Sequence, residues 1–278
     1  MARMLRTKEK HYNLDEQTLV MGILNVTPDS FSDGGKFDEV ASAVQQAKEM
    51  ERNGAHIIDV GGESTRPGHD PVTEKEELER VIPIIKAVHR EVHIPISIDT
   101  YKSNVARAAL EAGASIINDV WGAKKDPEMA NIAAAYQVPI MLMHNRTDKE
   151  YNDLISDMKV DLQESIQLVQ DAGVREHNIV IDPGVGFAKT GAHNLEVMRQ
   201  LEEFSAFGYP LLLGTSRKSF IGQVLDLPVN ERVEGTGATV CLGIAKGADI
   251  VRVHDVKEMA RMVKMMDAML GKGGNGLG

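Results

Sequence analysis

"PISIDTYKSNVARAALEAGASIINDV", residues 95–120, contains one complete structural unit. Two short isoleucine-rich runs, 95–100 and 115–120, flank a stretch over 103–112 whose apolar residues recur at helical spacing, and Gly113 stops it. A helix between two apolar strands is a crossover, and a crossover makes the strands parallel. The unit recurs. Strands are expected at 19–25, 56–61, 95–100, 115–120, 139–144, 178–182, 210–214 and 249–254. Helical patterns lie near 38–53, 73–91, 103–112, 127–136, 152–172, 193–205, 231–246 and 256–270, several of them closed by a glycine (Gly54, Gly173, Gly247). Alternating strands and helices predict an α/β fold. Eight such units in about 250 residues predict a TIM (β/α)8 barrel. A doubly wound sheet is the alternative, but no G-x-G-x-x-G follows the first strand. Composition shifts nowhere as it would at a linker, so residues 1–278 read as one domain. A short N-terminal extension around His11 to Gln17 is expected to form a β-hairpin over the barrel bottom, and the glycine-rich tail 271–278 to be frayed.

The bulk numbers narrow the function. A net charge of -10 argues against a general nucleic-acid binder and against an anionic membrane surface as partner. The single cysteine, Cys241, allows neither an intrachain disulfide nor a cysteine metal cage, and in its apolar stretch it is expected to be a small buried side chain. The N-terminus "MARMLRTKEK" is basic but lacks the apolar stretch of a secretory signal. No run approaches the ~18 apolar residues of a membrane span. A cytoplasmic location is therefore expected.

Barrel strands should be apolar on both faces, because helices cover the outside and side chains fill the inside. Here Asn25, Asp59, Asp99, Asn118, Asp182, Arg252 and His254 stand at or near the C-terminal ends of the strands. Each taken singly fits a helix cap or a satisfied core group, and Asp182 before Pro183-Gly184 fits an Asx turn. Taken together, so many polar strand ends read better as a polar ligand site, since buried charges cost several kcal/mol unless paired. Acceptors (Asp99, Asp182), an amide (Asn118) and a cation (Lys218) suit a flat heterocycle carrying donors and acceptors. His144 is out of phase with Met141 and Met143 and is expected to face away with a structural role. No H-E-x-x-H or comparable metal spacing occurs, so any metal would be a hard cation brought in with phosphate oxygens and touching Asn25.

Three loops are long and polar. "LNVTPDSFSDGG", 24–35, exceeds the ~2–6 residues that a strand-to-helix connection needs. "GGESTRPGHDPVT", 61–73, is its neighbour, and the two together are expected to form a water-excluding lid. "GTSRKSFIG", 214–222, opens a helix at Lys218-Ser219 directly after a strand, where backbone N–H groups attract anions. It lacks a glycine just before Lys218 and is not a P-loop. With Arg252 and His254 on the next strand, it forms a basic pocket where this fold usually binds phosphate.

The strings "GILNVTPDSFSDGG", "GAHIIDVGGESTRPG", "PISIDTYK", "IINDVWG", "IDPGVGFAKT", "LLLGTSRKSFIG" and "VRVHDV", in that order, resemble the bacterial dihydropteroate synthase family of the Bacillus type. The resemblance runs from about residue 18 to 270. It implies condensation of 6-hydroxymethyl-7,8-dihydropterin pyrophosphate with 4-aminobenzoate to 7,8-dihydropteroate and pyrophosphate. It further implies a pterin held by Asp99, Asn118, Asp182 and Lys218, with Met143 and Phe187 on the ring faces and Arg252 stacked on it. Pyrophosphate would meet Asn25, Arg252 and His254 with Mg²⁺ between. The 4-aminobenzoate carboxylate would sit at Ser219 beside Lys218, under Phe31, Asp33, Thr65, Arg66 and Pro67 of the two loops. Asp99, Lys218, Arg252 and His254 would be the catalytic set. Sulfonamides as mimics of 4-aminobenzoate and a homodimer packed through barrel helices are implied as well. A pterin-binding barrel of a folate-dependent methyltransferase and a noncatalytic pterin-binding protein stay open beside it. The first usually works with a corrinoid-binding domain; the second is expected to lose the anion-site residues, yet Lys218, Arg252 and His254 are present.

Overall fold

The computed structural model describes residues 3–26, 36–63 and 71–273. An antiparallel pair, β1 (Met4–Arg6) and β2 (His11–Asn13), precedes the sheet. Eight parallel strands follow: β3 (Leu19–Asn25), β4 (Ile57–Gly61), β5 (Ile96–Asp99), β6 (Ile116–Asp119), β7 (Ile140–Met143), β8 (Ile179–Asp182), β9 (Leu212–Leu213) and β10 (Ile250–Val253). Each pairs with the next in sequence from β3 to β8, and β10 pairs with both β9 and β3. A parallel bridge between Ile181 and Leu211 joins β8 to the segment entering β9 and completes the ring. The (β/α)8 barrel read from the sequence is the architecture observed, and its strand positions agree within one or two residues.

Around it lie α1 (Lys36–Arg52), α2 (Glu74–His89), α3 (Ser103–Ala112), α4 (Glu128–Tyr136), α5 (Leu154–Asp171), α6 (Gly191–Arg199), α7 (Glu202–Ser205), α8 (Ser219–Leu225), α9 (Val233–Ala245) and α10 (Val256–Met269). The one helix expected over 193–205 is two. Gln200, at φ -114 and ψ 24, ends α6, and the chain turns so that Leu201 and Phe204 are both fully buried. Cys241, expected to be buried, is half-buried in α9.

The barrel interior has an apolar floor. Leu19, Met21, Ile57, Ile116, Met141, Val180, Leu212 and Ile250 form one cluster with Leu5, Tyr12 and Leu14 of the N-terminal extension. The hairpin therefore caps the bottom, as expected, although its first strand, Met4–Arg6, comes earlier than the residues named for it. The Tyr12 hydroxyl donates to the His56 carbonyl (2.7 Å) and fixes the cap to the barrel rim. Residues 271–273 of the tail form a turn that packs here too, where Lys272 donates to the Thr18 hydroxyl (3.0 Å); the rest of the tail lies outside the described residues.

Candidate active site

Side chains alternate faces along a strand, so each interior floor residue has a companion two positions on, one layer higher. Above Ile57, Ile116, Met141, Val180 and Ile250 stand Asp59, Asn118, Met143, Asp182 and Arg252. Asp99 is level with Asn118, and Asn25 with Gly61. The polar strand ends thus meet inside one mouth, at the C-terminal end of the barrel.

Arg252 is its hub. Its Nε donates to Asp59 Oδ2 (2.6 Å) and its Nη2 to Asp99 Oδ2 (2.6 Å). Asn118 donates its amide to the same Asp59 oxygen (3.1 Å). Asp59 Oδ1, Asp99 Oδ1 and Ser97 Oγ are buried and have no hydrogen-bond partner among the described residues. Such groups are costly to bury, and they supply acceptors for a ligand. Burial pushes the Asp99 carboxyl up to about 7, against the pull of Arg252 and with help from the charge on Asp59. Burial opposes the charge on Arg252, but Asp59 and Asp99 more than offset it and hold the guanidinium above its ordinary value. The sequence shows Asp59 only as one of the polar strand ends, and the structure makes it the common anchor of Arg252 and Asn118.

The second group surrounds Lys218. Its Nζ donates to the Val185 carbonyl and lies 4.7 Å from the centre of the Phe187 ring. Lys218 Nζ and Asp182 Oδ2 both lie within 4.0 Å of the point where a Cβ on Gly214 would stand. Burial draws Lys218 down to about 8, countered by Asp182. Burial likewise raises Asp182, countered by Lys218 and by the Gly184 N–H, which donates to Asp182 Oδ1 (2.7 Å). The Asx turn and the ligand reading are therefore compatible: one oxygen shapes the turn and the other lies beside Gly214, within the field of Lys218.

Arg217, at φ 57, pairs with Asp255 while Lys218 donates to the Val185 carbonyl, so the two cations of "SRKS" have different partners. His254 shares the Ser216 hydroxyl through its own N–H (3.1 Å) and Nδ1 (2.9 Å), a partner that no motif in the sequence marks. Ser219 begins α8 and is exposed. Beside the mouth, Lys102 joins Glu63 to the buried Glu77. Among the described residues no cluster of three His, Cys, Asp or Glu side chains is arranged to hold a metal, and no helix is long and apolar enough to cross a membrane. Phe31, Asp33, Thr65, Arg66 and Pro67 lie outside the described residues.

The sequence profile of the pterin binding enzyme family matches residues 21–254. A dihydropteroate synthase of Bacillus subtilis is 64% identical over 98% of this chain and 95% of its own length. The chain belongs to the dihydropteroate synthase family. Dihydropteroate synthase is a transferase of folate biosynthesis. A dihydropteroate synthase of Clostridium difficile, solved in the presence of pteroic acid, superposes with a TM-score of 0.91 at 51% identity, covering 93% of this chain and 98% of that one. The Yersinia pestis dihydropteroate synthase, solved in complex with a sulfonamide drug, does so with a TM-score of 0.90 at 39% identity, covering 96% and 99%.

Proposed function

We propose that the mouth joins 6-hydroxymethyl-7,8-dihydropterin pyrophosphate to 4-aminobenzoate by an SN1-like route. The observation that carries this reading is the gathering of buried acceptors and cations in one mouth: Asp99 and Asp59 paired with Arg252, and Asp182 and Lys218 both beside Gly214. Acceptors and donors on one side, with Met143 and Phe187 as apolar walls, suit the edge and faces of a pterin. The C–O bond to pyrophosphate breaks first, and its electron pair leaves with pyrophosphate. The pterin ring delocalises the cation, which Asp99 stabilises electrostatically. Arg252 and His254 hold the departing negative charge. The neutral amine of 4-aminobenzoate then attacks the methylene carbon, and the new C–N bond releases a proton to water. Positioning and electrostatics supply the rate, with no covalent enzyme intermediate. The 4-aminobenzoate carboxylate is assigned to Ser219 beside Lys218, where sulfonamides would compete with it.

Asn25 is one oxygen donor, partly exposed at the strand end. That suits Mg²⁺ carried in on pyrophosphate, because Mg²⁺ keeps few protein ligands and shares substrate phosphates. When bound, the ion would neutralise charge on the leaving group.

A turnover assay with both substrates, with and without Mg²⁺, tests the reading. Dihydropteroate is expected only when both substrates are present, with a loss on chelation. No product from the native chain overturns the reaction. Lys218→Ala is expected to abolish measurable turnover and weaken pterin binding, and near-normal kinetics would remove Lys218 from the mechanism. A cytoplasmic homodimer completes the proposal. Val224 and Leu225 of α8, Leu242 of α9 and Met265 and Met269 of α10 are exposed on neighbouring helices, and a second copy would cover them. Light scattering is expected to report twice the chain mass, and a monomer at micromolar concentration argues against it.

A further inference from the structure

One buried charge near the mouth has no part in the reaction described above. Lys189 is 5% exposed, and an ammonium shut off from water needs acceptors. Its Nζ donates to the carbonyls of Gly184 (3.1 Å) and Phe187 (3.0 Å) and stands 2.9 Å from His144 Nδ1. Three acceptors match the three N–H groups of an ammonium. With Nδ1 accepting, His144 keeps its proton on Nε2, which donates to Asp161 Oδ2 (2.9 Å). Arg146 Nε donates to the same oxygen (2.5 Å). Burial holds His144 down at about 4, so the ring is neutral, as this arrangement requires.

The same loop is held elsewhere. The Tyr151 hydroxyl donates to the Ala188 carbonyl (2.9 Å), and Lys218 donates to that of Val185. Side chains therefore meet the carbonyls of 184, 185, 187 and 188 in a segment that adopts positive φ at Gly184, Gly186 and Ala188. A backbone in these regions persists only where its surroundings over-determine it.

We propose that Lys189, set by His144 and Asp161, is a positioning residue for the pterin substrate. It holds the 183–190 loop so that the Phe187 ring and the Asp182 carboxylate face the mouth, and it does not touch substrate itself. The proposal rests on the reading of the mouth as a pterin site.

Steady-state kinetics on the full chain test it. Lys189→Met is expected to raise KM for the pterin pyrophosphate about tenfold while KM for 4-aminobenzoate stays within about twofold. Lys189→Gln keeps two N–H donors and is expected to recover most of the loss. Equal rises in both KM values, or a fall in kcat alone, overturn the proposal. The native chain supplies a measurement that needs no variant: burial draws Lys189 down to about 7, so at about pH 5–6, where it is still an ammonium, ¹⁵N NMR is expected to find His144 protonated on Nε2 and bare on Nδ1. A proton on Nδ1 overturns the clamp. A native chain that makes no dihydropteroate would count against the reaction instead, and the tautomer would still decide the clamp.

Discussion

Arg252 is held, partly buried, between two carboxylates, and each partner alters what the other can do. A buried guanidinium left alone would be expensive, and two unpaired carboxylates side by side would repel. Burial pushes Asp99 up to about 7. Protonation removes its charge and weakens its hold on Arg252, so kcat/KM is expected to fall as the pH drops through about 7. The sign for stability is the opposite. The folded-state value lies above the ordinary 3.8, so the folded chain binds the proton more tightly, and ligand-free stability declines as the pH rises between the two. Asp59 raises the Asp99 value by its charge. Asp59→Asn is therefore expected to move the acid limb of the rate profile to lower pH and to raise KM for the pterin substrate, because Arg252 and Asn118 lose a common anchor. A limb that stays in place would mean that another group titrates.

At the scale of elements, the strands and most helices were legible because their signals are local. Runs such as Ile57–Gly61 and Ile140–Met143 are buried on both faces, which is the pattern a parallel strand needs. The break between α6 and α7 was not legible, because it depends on what Leu201 and Phe204 meet across the barrel wall. The loop after β8 shows the same division. Its glycines announce a turn, and Phe187 N donates back to the Gly184 carbonyl (3.0 Å), with Gly186 at φ 92 between them. A Cβ on Gly186 would stand 2.6 Å from Lys218 Cδ. Gly186→Ala is expected to cost about 1–2 kcal/mol of stability from the backbone alone, measured by denaturant unfolding. It should also raise KM for the pterin substrate by displacing Lys218. Unchanged KM would detach the loop from the site.

The whole molecule separates stability from chemistry along the barrel axis. The floor is apolar and closed by Leu5, Tyr12 and Leu14, while the mouth carries the charge. Leu5→Ala is expected to lose about 2–5 kcal/mol with both KM values unchanged, and altered kinetics would show that the two ends are coupled. By itself the sequence determined the barrel and the end at which its polar strand ends gather. Periodicity, glycine stops and polar interruptions of apolar strands are read within a few residues. Only the tertiary structure decided how those residues pair. Arg252 meets Asp59 across 193 residues and Lys189 meets His144 across 45. A buried charge is satisfied by whatever ring closure brings beside it, and no spacing along the chain records that.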